Sequence, residues 1–216
     1  MKAGFESVKA FDEYAERYDM WYSKPENRQV FESELMVIRS LGLSGFGDEV
    51  GVGAGVFASN LHIPLGVDPA HKMLRIARDR GIEVVRAVGE ALPFIDECLD
   101  YVLYVVTLCF LKDPILSISE ARRVLRDGGK LIICFIPRDS YLGELYSKRG
   151  MEGHRIYRFA RFYSISEVKS MLKDVGFMIV AHAGTLKNIV SGDFLKRPYS
   201  SLDGCSFICL KAKKGE

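Results

Sequence analysis

Glu49-Val-Gly51-Val-Gly53-Ala-Gly55 is the stretch on which the fold turns. It closes a β-rich run that begins at Asp48 and reaches Val52, and it opens a short helical pattern from Gly55. At such a junction glycines allow a tight turn and let the backbone approach a ligand. A dinucleotide fingerprint puts its third glycine one place later, at Val56, because a pyrophosphate must sit over the helix N-terminus. The tighter Gly-x-Gly-x-Gly leaves room for a ligand without phosphates, so Val56 disfavours a nucleotide-dependent dehydrogenase.

Downstream the same β-then-helix rhythm repeats. Leu65-Gly-Val67 reads as a strand, Ala70 to Arg80 as a helix, and Ile82 to Arg86 as a strand, which predicts parallel strands joined by right-handed crossovers. Tyr101 to Leu108 lacks polar alternation, as a central strand covered on both faces should. Asp113-Pro114 supplies an N-cap with proline in the first turn, and that helix is expected to end near Arg126. Asp127-Gly128-Gly129 is a turn signal, after which Lys130 to Ile136 reads as a second central strand bounded by Pro137. Ser164-Ile-Ser-Glu167 is a capping box for a helix closed by Gly176. Phe177 to Ala183 and Ser206 to Ala212 follow without a helical pattern between them and should pair antiparallel.

Upstream, Val8, Phe11, Ala15, Tyr18 and Tyr22 recur at helical spacing, as do Phe31, Leu35, Ile38 and Leu41 after Pro25. The expected architecture is therefore α/β: a doubly wound, mainly parallel seven-stranded sheet with an N-terminal helical cap. We expect one domain over residues 1–216, with the cap at 1–44 and a lid or substrate segment at 138–162.

Composition narrows the function classes. Lys+Arg 30 against Asp+Glu 28 leaves a net charge of +2, so no global field favours nucleic acid or an anionic membrane. Cys98, Cys109, Cys134, Cys205 and Cys209 are an odd set without a Cys-x-x-Cys pair, mostly in apolar runs. They read as small buried hydrophobes in a reducing cytosol, with neither zinc nor a disulfide framework suggested. No signal-peptide core is seen near the N-terminus, and the apolar stretch Leu99 to Leu111 is broken by Asp100. A cytoplasmic protein with no membrane segment is expected.

Asp68 ends the second strand, where a carboxylate can accept from both hydroxyls of a ribose. Beyond it come Val88-Gly-Glu-Ala-Leu-Pro-Phe94, Leu99-Asp100 and a central strand finishing near Thr107. With Phe11-Asp-Glu-Tyr-Ala-Glu-Arg-Tyr-Asp19, Asp68-Pro69, Arg123-Val-Leu-Arg-Asp-Gly-Gly129 and Phe162-Tyr-Ser164, these pieces run in family order over nearly the whole chain. The chain resembles a class I methyltransferase dependent on S-adenosylmethionine (SAM), of the small-molecule branch.

The resemblance implies a SAM site built from Glu49, Gly51, Val52, Gly53, Gly55, Asp68, Pro69, Gly89, Glu90, Leu92 and Thr107. Asp68 would hold the ribose hydroxyls, and Pro69 and Leu92 would flank the adenine. Val88 stands where relatives commonly carry an Asp that accepts from the adenine amine, leaving the backbone at Gly89 and Glu90 to read the ring edge. S-Adenosylhomocysteine would be the product. SAM is already an activated methyl donor, so the protein needs chiefly to align a nucleophile and exclude water. No catalytic base can be assigned, and His62, His71, His154 and His182 carry no motif that ties them to catalysis.

The acceptor pocket should lie between the helical cap and the segment Arg138 to Phe162. Tyr14, Tyr18 and Trp21 are candidate aromatic walls, against the plain alternative that they are core residues of an amphipathic helix. Arg155 and Arg158 would admit an anionic group on the acceptor. Two other readings stay open: a nucleic-acid methyltransferase, and a SAM-binding protein without turnover.

Overall fold

The computed structural model describes residues 2–187, 189 and 198–215. Its elements in chain order are α1 (Lys2–Ser23), α2 (Pro25–Ser40), β1 (Gly47–Val50), α3 (Val56–Leu61), β2 (Leu65–Asp68), α4 (His71–Asp79) and β3 (Glu83–Arg86), followed by β4 (Leu99–Val105), α5 (Pro114–Val124), β5 (Leu125–Phe135), α6 (Tyr141–Met151), α7 (Ile165–Asp174), β6 (Phe177–Thr185) and β7 (Phe207–Lys214). Short 3-10 turns lie at Leu108–Phe110 and Tyr157–Phe159.

The described strands form one seven-stranded sheet in the order β3-β2-β1-β4-β5-β7-β6. Pairs from β3 through β5 are parallel, and β7 lies antiparallel to both β5 and β6, as expected for two runs with no helix between them. Reversal of strand order at β1 and β4 puts a crevice beyond their carboxyl ends, where open α/β sheets hold ligands.

Alternation along the central strands divides the core. Leu103, Val105, Ile132 and Cys134 face one layer with Leu35, Ile38, Phe57 and Leu74, from α2, α3 and α4. Val102, Tyr104, Leu131 and Ile133 face the other with Ile118, Ala121, Val168 and Leu172, from α5 and α7. Helix α1 reaches the first layer through Tyr22, and its Ala15 packs with Ala54 and Val56 around the glycine turn and with Ala70 and Met73 of the α4 region.

The local signals act as anticipated at two helix starts. Asp113 accepts from Leu116 N–H at 3.0 Å, and Ser164 and Glu167 satisfy each other's backbone N–H groups in a complete capping box. Elsewhere tertiary burial overrides them. Helix α5 stops at Val124 rather than near Arg126, because the fully buried Leu125 is already extended and pairs with Leu99. The Asp-Gly-Gly turn, with Gly128 at φ +76°, becomes an irregularity within β5 before Lys130 pairs with Tyr101.

The cysteines also need correction. Cys134 and Cys209 are register partners on β5 and β7 and form a disulfide with Cα atoms 4.0 Å apart. Their separation of 75 residues hides this pairing from any local spacing rule. Cys109 and Cys205 are buried and free, and Cys98 is half-buried. Among the described residues no helix is long and apolar enough to cross a membrane, and none of their side chains group as a metal site.

Candidate cofactor site

The glycine turn after β1 is held in the left-handed region, with φ of +74° at Gly51, +53° at Gly53 and +75° at Gly55. The three glycines serve different ends. A Cβ on Gly51 would collide with the Thr107 side chain, and one on Gly55 would meet Ile82 Cδ1 at 2.5 Å and Ala77 Cβ at 3.0 Å. Gly53 instead faces open space, with nothing within 4 Å of that position. Packing therefore demands the outer glycines, while the middle one leaves a cradle. Val52 is buried beneath it.

Asp68, at the end of β2, closes one side of the cradle. Its Oδ2 accepts from Gly53 N–H at 3.0 Å and its Oδ1 from Ala70 N–H at 2.8 Å, so one carboxylate fixes both the turn and the start of α4. Burial pushes its pKa up to about 6, against the Ala70 and Gly53 N–H groups that favour the charge. Each oxygen keeps a second lone pair for a ligand hydroxyl.

Glu49 is only 2% exposed, and its Oε2 is buried without a hydrogen-bond partner. Burial first, then the neighbouring charges of Asp48 and Asp68, hold its pKa well above the ordinary range, with the Ala58 N–H opposing. An orphaned buried acceptor of this kind calls for a donor that the described chain does not itself supply. SAM offers an ammonium group and two ribose hydroxyls. The residues present fit it: Glu49 lacks a donor, Asp68 can accept, and Gly53 leaves the backbone uncovered.

The loop after β3 contributes more to architecture than its sequence suggests. Glu90 Oε1 accepts from Lys112 and Asp113 N–H at 2.9 and 3.0 Å, tying this loop to the start of α5. Leu92 is buried and donates its N–H to Glu120, while its carbonyl accepts from Arg123. Gly89 is buried; a Cβ there would meet Ser117 Oγ at 2.5 Å. Pro69 is half-buried, and Val88 is 44% exposed. Asp100 accepts from Phe46 N–H at 2.7 Å and from Arg126 at 3.0 Å, a structural role.

At the carboxyl end of β4 the backbone is strained. Val106 holds φ at +52°, which a β-branched residue adopts at a cost of roughly 1–3 kcal/mol. Its N–H donates to Cys134 O at 2.8 Å, and the next residue, Thr107, donates to Val105 O at 3.1 Å beside Gly51. Nothing in the sequence marks Val106. The left-handed kink turns the chain at the crevice.

Helix α1 and the segment 138–162 carry the aromatic residues. Tyr18 and Tyr22 share a hydrogen bond of 3.2 Å between hydroxyls; Trp21 packs edge-on against Tyr22; Tyr14 is half-buried. Burial raises the pKa of Tyr18 to about 12 and holds that of Tyr22 well above the ordinary tyrosine value. Tyr146 and Tyr157 stack at 4.3 Å, and the His154 ring stacks on Tyr157 at 4.5 Å. His154 Nδ1 accepts from Ile156 and Tyr157 N–H, and burial followed by the Arg149 charge lowers its pKa. Arg155 is exposed, and the exposed Arg158 lies over Phe159 at 4.6 Å. His62, His71 and His182 are exposed as well.

Tyr22, Tyr146 and Tyr157 pack around the same aromatic region, and the sequence reading did not single them out, nor Glu34. Glu34 is 7% exposed, and burial pushes its pKa to about 8. A signal for it existed: it interrupts the apolar face of α2, three residues after Phe31 and four before Ile38.

Residues 49–133 match the family model described as a methyltransferase domain. An uncharacterised protein of Methanocaldococcus jannaschii is 39% identical over 208 residues, covering 96% of this chain and all of the relative. An uncharacterised protein of Mycobacterium tuberculosis is 42% identical over 175 residues, but the match takes in 61% of the relative's length and 80% of this chain. Among solved structures, a Thermotoga maritima SAM-dependent methyltransferase, described as a possible histamine N-methyltransferase, superposes with a TM-score of 0.89. It is 33% identical, with 96% of this chain and 99% of that one covered. The glycine turn, the Asp68 carboxylate, the strand order and this full-length similarity agree: the chain belongs to the class I SAM-dependent methyltransferase family.

Proposed function

We propose that the protein transfers the methyl group of SAM to a small-molecule acceptor. The observation that carries the cofactor half is the orphaned Glu49 Oε2 beside a glycine turn whose middle residue faces open space. Glu49, Gly53 and Asp68 would hold the cofactor, with Gly51, Val52, Gly55 and Thr107 shaping the turn. Pro69, Gly89, Glu90 and Leu92 would border the adenine. When bound, the cofactor supplies a methyl group activated by its sulfonium, which transfers to a nucleophile held in line with it.

The chain's own residues then have to seat the acceptor and keep water out. Tyr14, Tyr18 and Trp21 on α1, with Arg155 and Arg158 beyond α6, are the proposed borders of that pocket. A net charge of +2 supports a small acceptor over a nucleic acid. Calorimetric titration with S-adenosylhomocysteine and with NAD tests the cofactor half. Binding of S-adenosylhomocysteine alone is expected, and binding of NAD alone would sink the reading.

A further inference from the structure

Glu34 presents a problem that the cofactor site leaves unsolved. Glu34 is 7% exposed, yet among the described residues it has neither a hydrogen-bond nor an ion-pair partner. Leaving such a group unpaired in a core costs free energy, and it persists only where something else holds it or makes use of it. Its surroundings are aromatic. Tyr18 and Tyr22 on α1 and Tyr146 on α6 all lie within reach of the Glu34 charge, and Tyr157 in turn lies within reach of Tyr18, Tyr22 and Tyr146.

This cluster is continuous with the cofactor site. Tyr18 is within electrostatic reach of Glu49 and Cys109 as well as Glu34. Tyr22 bridges packing layers: it touches both the α1 cluster and the core that includes Leu35 and Phe162, against which Tyr146 and Tyr157 also pack. A cation reaches this neighbourhood at Arg149, which is exposed and 6.0 Å from the Tyr146 ring centroid.

We propose that Glu34 and the rings and hydroxyls of Tyr18, Tyr22, Tyr146 and Tyr157 form the seat of the methyl acceptor, and that this acceptor is an amine. The inference rests on the methyltransferase reading above and adds the substrate class. A buried carboxylate pairs with an ammonium through a charge-assisted hydrogen bond, and aromatic faces attract the same cation through their quadrupoles. An alcohol supplies neither term, and a carboxylate would face Glu34 with like charge. The pair also handles the proton: the ammonium gives one proton to the Glu34 carboxylate, leaving a neutral amine with its lone pair free and a neutral carboxylic acid. Burial alone raises the Glu34 pKa to about 8, and an ammonium beside it favours the ionised form, so the proton can pass either way within the pair.

The test is calorimetry on the full chain with three probes of one shape: phenethylamine, 2-phenylethanol and 3-phenylpropanoate, each with and without S-adenosylhomocysteine. Phenethylamine should bind at least about tenfold more tightly than either isostere, the size of one charge-assisted hydrogen bond. Glu34→Gln should remove that margin, lowering amine affinity about tenfold while the affinities for 2-phenylethanol and S-adenosylhomocysteine hold. Absence of amine binding, equal affinity for amine and alcohol, or an equal loss of both in Glu34→Gln would overturn the proposal. Preference for 3-phenylpropanoate would overturn it in favour of the arginines of segment 138–162. Should Glu34→Gln fail to fold, the wild-type selectivity still decides. Binding of S-adenosylhomocysteine without amine preference defeats this inference alone, whereas loss of S-adenosylhomocysteine binding with the amine preference intact defeats the methyltransferase reading.

Discussion

Arg80 at the end of α4 binds Asp19 of α1 at 2.7 Å with one nitrogen and the Ala54 carbonyl of the glycine turn at 2.7 Å with another. One guanidinium thus ties the N-terminal helix to the glycine turn of the candidate site. A second tie runs parallel, from Lys72 N–H at the first turn of α4 to Asp12 at 2.7 Å. Both Arg80 and Asp19 are partly shielded, with side-chain exposures of 28% and 22%.

Releasing that tie should loosen α1 without unfolding the sheet. Asp19→Asn is expected to cost about 1 kcal/mol, within the range of a partly exposed ion pair. Hydrogen exchange should speed up across Lys2 to Ser23 and stay slow in β4 and β5. Adding S-adenosylhomocysteine should slow exchange in α1 and in segment 138–162 more than in those strands. Equal protection everywhere, with and without ligand, would show that neither segment closes over the site.

Asp68→Ala removes an acceptor that serves the turn and, in the proposed site, the ligand as well. S-Adenosylhomocysteine affinity should fall by about 1.5–3 kcal/mol, the range for hydrogen bonds to a charged group. The melting temperature should fall only modestly, because the Gly53 and Ala70 N–H groups each lose a hydrogen bond worth about 1 kcal/mol. An unchanged dissociation constant in the folded variant would remove Asp68 from the site.

What could be read from the sequence was what is encoded locally. Asp113-Pro114, Ser164 with Glu167, and the Gly51-Gly53-Gly55 spacing each act through bonds or torsions within a few residues, so their positions survive into the fold. Leu125 shows the limit: helix propensity carried the expected end past Val124, and pairing with Leu99 decided otherwise. The Cys134–Cys209 bond and the strained Val106 depend on which strands become neighbours. The aromatic seat is harder still, because Glu34, Tyr18 and Tyr146 lie on three helices that only the packed sheet brings together.

The three glycines should separate under substitution. Gly53→Ala places a methyl group in open space, so stability should fall by only the left-handed penalty of about 1–2 kcal/mol while S-adenosylhomocysteine binding drops sharply. Gly55→Ala drives its Cβ into Ile82 and Ala77 and should lower the melting temperature considerably more. If Gly53→Ala bound S-adenosylhomocysteine like the wild type, the cradle would not be where the ligand backbone contact lies.

Asp48 sets the pH dependence of stability. It is wholly buried, both carboxylate oxygens lack partners, and burial raises its pKa to about 7. The unfolded chain releases this proton near pH 4, so between about pH 4 and 7 the folded state holds more protons than the unfolded one. Stability contributed by this group is therefore present below about pH 4 and declines as pH rises through about 7, above which the full cost of burying the charge is felt. Glu34, Glu49 and Asp68 act with the same sign, because burial raises all three. Asp100, Glu120 and Glu167 act oppositely, held low first by the Phe46 N–H, by Arg123 and by the Ser164 N–H respectively; their contribution is lost as pH falls below about 4. Thermal unfolding should accordingly show a higher melting temperature at pH 5 than at pH 8. For Asp48 alone the difference is bounded by about 2.7 kcal/mol, the two pH units from 5 to its folded pKa of about 7. Asp48→Asn should raise the melting temperature at pH 8 and flatten the slope between the two values. A wild-type melting temperature that rises from pH 5 to pH 8 would mean that these carboxyls are ionised and paired in solution, and that burial does not govern them.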